Sequence, residues 1–159
     1  MARARLNSGL TYISVVDRYY ASRSLPLGHY GRRDAERALD KEYAASRQVE
    51  DKYRKAVRGK RVGLQEAAHI VYRLCDGIGT KLMKQVVDMS STSQRNPCYM
   101  PNERSIHIPV PCSITILVHE TAHYVADIEY RYYGHGKIFC EVEDLLFEVY
   151  LTSSRDEVY

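Results

Sequence analysis

The residues best suited to chemistry stand together in Ile116-Leu-Val-His119-Glu120-Thr-Ala-His123-Tyr-Val. Two histidines four positions apart on a helix lie about 40° apart around its axis and one turn apart along it. Their imidazoles can therefore share one metal ion. Zinc takes neutral imidazole nitrogen readily, and a catalytic zinc site uses three protein ligands plus water. Glu120 projects from an adjacent direction. Its carboxylate can reach that water without ligating the metal, as a general base should. The surrounding residues Leu117, Val118, Thr121, Ala122, Tyr124 and Val125 are all uncharged. A buried helix needs that, and a solvated helix would not show it. The bland alternative is a core helix whose two histidines only hydrogen-bond to neighbours.

A third ligand is required, and His135 is the best placed. It lies in Gly134-His135-Gly136-Lys-Ile-Phe139, where the glycines permit sharp turns and close backbone approach. A metal helix continuing to about Tyr130 climbs roughly 10 Å beyond His123. Five extended residues return at most roughly 17 Å, so His135 can reach back if the helix ends by about residue 131. Glu141 and Glu143 compete for the role, since a glutamate from a following helix can complete a zinc site. His69 and His107 read as structural, and His29 sits in a glycine-rich loop, Ser24 to Gly31.

These side chains need elements to hold them. From Arg32 to Arg58 no Gly or Pro interrupts a polar stretch rich in helix formers, which predicts a long helix. Its apolar positions (Ala38, Leu39, Tyr43, Ala44, Val49, Tyr53, Val57) form a thin stripe, so it is expected to pack weakly. Before it, Leu10 to Val16 suits a short helix or strand. A second helix starts near Leu64, with Ala67, Ala68, Ile70, Val71, Leu74, Cys75 and Ile78 at helical spacing. Gly77 and Gly79 weaken it. Gln85 to Met89 is a short strand candidate, and Cys98-Tyr-Met with Ser105-Ile-His-Ile reads as a hairpin around Pro101-Asn-Glu-Arg. The metal helix starts at about Ser113. A last helix runs from about Lys137 to Leu151.

Composition bounds the rest. In 159 residues, 45% hydrophobic and 27% charged, there is room for one ordinary core and not for two enzyme domains. Apolar runs of a few residues, such as Ile116 to Val118, exclude a membrane-spanning helix, and no secretory signal is visible. Four dispersed cysteines without a Cys-x-x-Cys pair argue against a disulfide framework and for a reducing, cytoplasmic setting. Residues 1–62 carry 15 basic against 7 acidic side chains, and residues 63–159 carry 8 against 13. The chain thus divides into a basic, mainly helical N-terminal extension (1–62) and a body (63–159). The extension is either a solvated helical segment or a means of contacting nucleic acid.

With His119-Glu-Thr-Ala-His123 followed by His135-Gly-Lys-Ile-Phe139, the sequence resembles the zincin metallopeptidases. Within them it is similar to the SprT-like group, to which the Spartan proteases belong. That family pattern is a His-Glu-x-x-His helix, a loop, then His-Gly-x-x-aromatic opening another helix. The resemblance covers roughly residues 64 to 152. It implies Zn2+ on His119, His123 and His135, with Glu120 catalytic. It also implies a zincin-like α+β fold, in which a small, mostly antiparallel sheet packs on the metal-binding helix and flanking helices. The metzincin pattern fails, because Ala126 and Glu129 stand where its glycine and third histidine would fall. The cysteines of the zinc ribbon that SprT-like proteins often carry are missing from this sequence.

The expected activity is zinc-dependent hydrolysis of a protein or peptide substrate lying extended along a sheet edge, for which Cys98–Met100 is the candidate. Tyr132, Tyr133 and Tyr150 are available to stabilise an oxyanion, though each also suits a packing role. A different class of function remains open: a zinc-stabilised regulatory protein that binds nucleic acid or a protein through its basic extension.

Overall fold

In the computed structural model, which describes residues 30–156 and the side chains of 41 and 43–153, the elements follow one another as α1 (Tyr30–Val57), β1 (Arg61–Val62), α2 (Leu64–Ile78), β2 (Gln85–Asp88), a 3-10 turn (Met89–Ser91), β3 (Cys98–Met100), β4 (Ser105–Ile108), β5 (Cys112–Ser113), α3 (Ile114–Tyr130) and α4 (Lys137–Asp156). The class is α+β, as expected. Leu10 to Val16 and His29 lie outside the described residues. No helix among the described residues is long and apolar enough to cross a membrane.

α3 is the hub. Ile114, Leu117, Val118, Thr121, Ala122, Tyr124, Val125 and Ala126 are all buried on it, so it is apolar around most of its circumference. Ser113 caps its start, the side-chain oxygen accepting from the Ile116 N–H at 3.3 Å. Its end is sharp. Arg131 takes a left-handed conformation, and the N–H groups of Arg131 and Tyr132 turn back to the carbonyls of Asp127 and Ala126. The helix thus stops at the limit that lets the next loop return to His123.

α2 and α4 flank the hub. α2 buries Ala67, Ile70, Val71, Leu74, Cys75 and Ile78. Gly77 lies within it because α4 passes so close: a Cβ there would stand 2.5 Å from Val149 Cγ1. Gly79 ends it in the left-handed region, at φ 71°. α4 turns Phe139, Val142, Glu143, Leu146, Phe147 and Tyr150 inward at successive spacings of three, one, three, one and three.

The sheets are small. β1 pairs antiparallel with β5, and a second sheet has the order β2-β4-β3. That second sheet is mixed, yet two of the three strand pairings in the two sheets are antiparallel, in keeping with the mostly antiparallel expectation. β3 and β4 form the expected antiparallel hairpin, but β2 runs parallel to β4. The cause is the path of residues 89–97, which carry the chain from one edge of β4 across to the other. β4 is then inserted between two strands that both run beside it.

α1 departs from its expected weak packing. Tyr53 and Val57 are buried in the same core as Val62, α2, α3 and α4. The Tyr53 ring stacks on Phe147 with centroids 4.7 Å apart. Tyr43, Ser46, Glu50, Tyr53 and Val57 recur at three, four, three and four residues, which places them on one face.

Candidate metal centre

Helical spacing presents His119 and His123 on one face of α3, with ring centroids 5.0 Å apart. His135 arrives from the loop between α3 and α4. Its Nε2 lies 3.0 Å from His123 Nε2 and 3.3 Å from His119 Nε2. The loop is braced by Tyr132, whose hydroxyl accepts the Gly136 N–H at 2.8 Å. Beneath the cluster, the buried Phe139 ring packs against all three imidazoles, with centroids 4.5–5.0 Å away.

The three nitrogens lie within 4.8 Å of one another and could hold one metal ion. Zn–N bonds of about 2.0–2.1 Å in tetrahedral geometry require nitrogens roughly 3.3 Å apart. The protonation states suit a metal as well. Burial, with the neighbouring imidazoles, pushes His123 well below the ordinary histidine range. Burial and the His119 charge pull His135 down to about 4. Both rings are neutral donors at neutral pH.

His119 differs. Burial lowers its pKa, but the carboxylates of Glu143, Glu50 and Glu120 outweigh that and raise it to about 10. Its Nδ1 lies 2.9 Å from Glu50 Oε1 and 3.1 Å from Glu143 Oε2. Carboxylates accept, so Nδ1 donates and Nε2 is the nitrogen that faces the other histidines. Glu143 is 0% exposed and also accepts from Ser46 Oγ at 3.1 Å.

Glu120 stands apart from the three nitrogens but lines the same cavity. That cavity, of about 480 Å3, is walled by Tyr43, Pro97, Cys98, Tyr99, Pro101, His119, Glu120, His123, Tyr133 and His135. Glu120 is 6% exposed. Burial raises its carboxyl to about 7, with His119 opposing and Glu50 reinforcing. A carboxylate poised near neutrality can both accept and return a proton.

The competing ligands fall elsewhere. Glu143 belongs to the far nitrogen of His119, where Glu50, His119 and Glu143 form a second close group. Glu141 faces Lys137 at 3.9 Å, beside a separate surface groove. His107 is buried on β4, with its Nε2 3.3 Å from Ser105 Oγ and 3.4 Å from Glu103 Oε2, and His69 is exposed on α2. Of the three tyrosines, only Tyr133 lines the cavity; Tyr132 holds the loop, and Tyr150 lines a small cavity with Ile70 and Leu74. β3 is an edge strand beside the site. Cys75, Cys98, Cys112 and Cys140 form no disulfide among the described residues.

Glu50, Ser46 and Tyr43 were not anticipated as site residues. The usable signal was a polar Ser46 and Glu50 on the same helical face as Tyr43, Tyr53 and Val57. Compared with protein-family models, curated proteins and solved structures, the chain matches none of them.

Proposed function

We propose that the protein is a zincin-type, SprT-like metallopeptidase that hydrolyses peptide bonds in an extended substrate. The observation that carries the reading is the convergence of three imidazole Nε2 atoms on a cavity that also holds a buried glutamate. A site serving only to stabilise the fold has no use for a carboxylate in that position, which weighs against a regulatory binding protein.

His119, His123 and His135 would hold the ion. When bound, zinc supplies a Lewis acid that makes water nucleophilic near neutral pH and polarises a carbonyl. Glu120 takes the proton of the attacking water and returns it to the departing amine. Its burial and its pKa of about 7 suit both halves of that transfer. The substrate adds as a strand to the edge of β3 that no strand covers among the described residues, with Pro97 and Pro101 bounding the three-residue edge. Tyr133 stands on the cavity wall, where a hydroxyl can stabilise an oxyanion.

The test is hydrolysis of a mixture of unfolded proteins by the full chain, with and without chelator. Cleavage that stops with chelator and returns with zinc is expected. Zinc binding without any cleavage would favour the regulatory alternative.

A further inference from the structure

We infer that the second half of α1 is a working part of the metal centre, with Glu50 and Tyr43 as positioning residues for His119 and His135. The inference rests on the metal-site reading above and names what preorganises that site. Three α1 side chains reach it at positions i, i+3 and i+7. Tyr43 stacks on the His135 ring with centroids 4.0 Å apart and planes 29° from parallel. Ser46 donates to Glu143. Glu50 accepts from His119 Nδ1, across 69 positions of sequence.

Each contact addresses a different freedom of the site. An imidazole held only through its Cβ can rotate about χ2 and present either nitrogen. Glu50 and Glu143 together hold the His119 Nδ1–H, so Nε2 is the nitrogen that faces the cavity. Ser46 in turn orients Glu143, which has no solvent to do so. His135 rides on a loop between two glycines and has no helix to fix its ring. Phe139 supports it on one side and Tyr43 stacks on it. The two ligands that depend on neighbours for their orientation are thus both served by α1. His123, half-buried on α3, has the Phe139 ring 4.5 Å away and no contact from α1 among the described residues.

Lys52 provides a control on the same helix. Its ammonium pairs with Asp144 at 2.9 Å on the exposed side of the α1–α4 contact. It helps hold α1 down without touching a histidine.

The experiment is titration of the full, metal-free chain with Co2+, read by its visible absorption, alongside thermal unfolding without metal. In E50A, Co2+ affinity corrected for the proton that His119 must lose is expected to fall about 10- to 100-fold, with an altered spectrum. E50Q keeps an acceptor for the Nδ1–H and is expected to lose less than E50A. Y43A is expected to lose affinity, and Y43F to retain it, because stacking needs the ring and not the hydroxyl. K52A is expected to bind as the unaltered chain does. Affinity in E50A within twofold of the unaltered chain would overturn the inference, as would an equal loss in K52A. If E50A does not fold, Y43A decides: affinity within twofold of the unaltered chain would overturn it. Failure of the unaltered chain to bind Co2+ would instead remove the metal-site reading itself.

Discussion

α3 and α1 contribute to the same candidate metal centre by opposite routes. α3 carries its chemistry in one short motif, and the helix repeat alone juxtaposes His119 and His123. α1 carries no motif. Its Glu50 is one acidic residue in a charged helix until tertiary packing sets it 2.9 Å from His119 Nδ1. Ligand pairs close in sequence can be read from spacing. The groups that orient those ligands lie 69 and 24 positions from His119, and only the fold brings them in.

Removing α1 and β1 is the most severe way to break this pairing. A chain beginning at Gly63 loses Tyr53, Val57 and Val62 from the core and the β1 partner of β5. Their burial is worth on the order of 5 kcal/mol, comparable to the whole stability of a small domain. No cooperative thermal transition is expected by circular dichroism. A sharp transition with zinc bound would mean that α1 is dispensable after all.

A single anchor sharpens the point. Tyr53→Ala removes the ring stacked on Phe147 and the hydroxyl donated to Asp144 and Glu148. Stability should drop by about 3 kcal/mol in urea unfolding, with the chain still folded in water. A change below about 1 kcal/mol would show that α1 is held mainly by its polar contacts at the site.

The pH dependence of zinc binding probes the link between the helices more gently. The Glu143 and Glu50 carboxylates hold the folded His119 pKa up at about 10, so between pH 7 and 9 the metal-free ring carries a proton on Nε2. Zinc must displace it, whereas His135, at about 4, has none to lose there. Apparent affinity should therefore rise about tenfold per pH unit in that window. The complementary sign holds for folding without metal: a raised His119 pKa favours the folded chain below about 6.5 and loses that benefit as pH climbs toward 10. Zinc affinity that is flat from pH 7 to 9, measured against a competing chelator, would contradict the assignment.

Much of the fold was legible because its signals are local. The buried residues of α2 and α4 recur at helical spacing, Ser113 caps α3, and Pro101-Asn-Glu-Arg turns the hairpin. β1 and β5 were not legible, since two-residue strands have no periodicity to read. Nor was the parallel pairing of β2 with β4, which depends on where residues 89–97 cross. At the site, His119, Glu120, His123 and His135 could all be named from spacing and reach, and the structure brings them to one cavity. Glu143 was weighed as a ligand, but its distance to His119 Nδ1 gives it the part of an orienting group. Hydropathy hid Ser46 and Glu50, because a polar residue on a thin stripe looks like a break in it.

The most direct test of the central claim is Glu120→Gln, measured for zinc affinity and peptide hydrolysis on the same preparation. Glutamine keeps the shape of Glu120 and leaves the three histidines in place, but it cannot take a proton from water. Zinc affinity close to that of the unaltered chain is expected, together with a fall in hydrolysis of about 10²–10⁴-fold. Undiminished hydrolysis in that variant, with zinc bound, would contradict the assignment of Glu120 as the general base and the mechanism built on it.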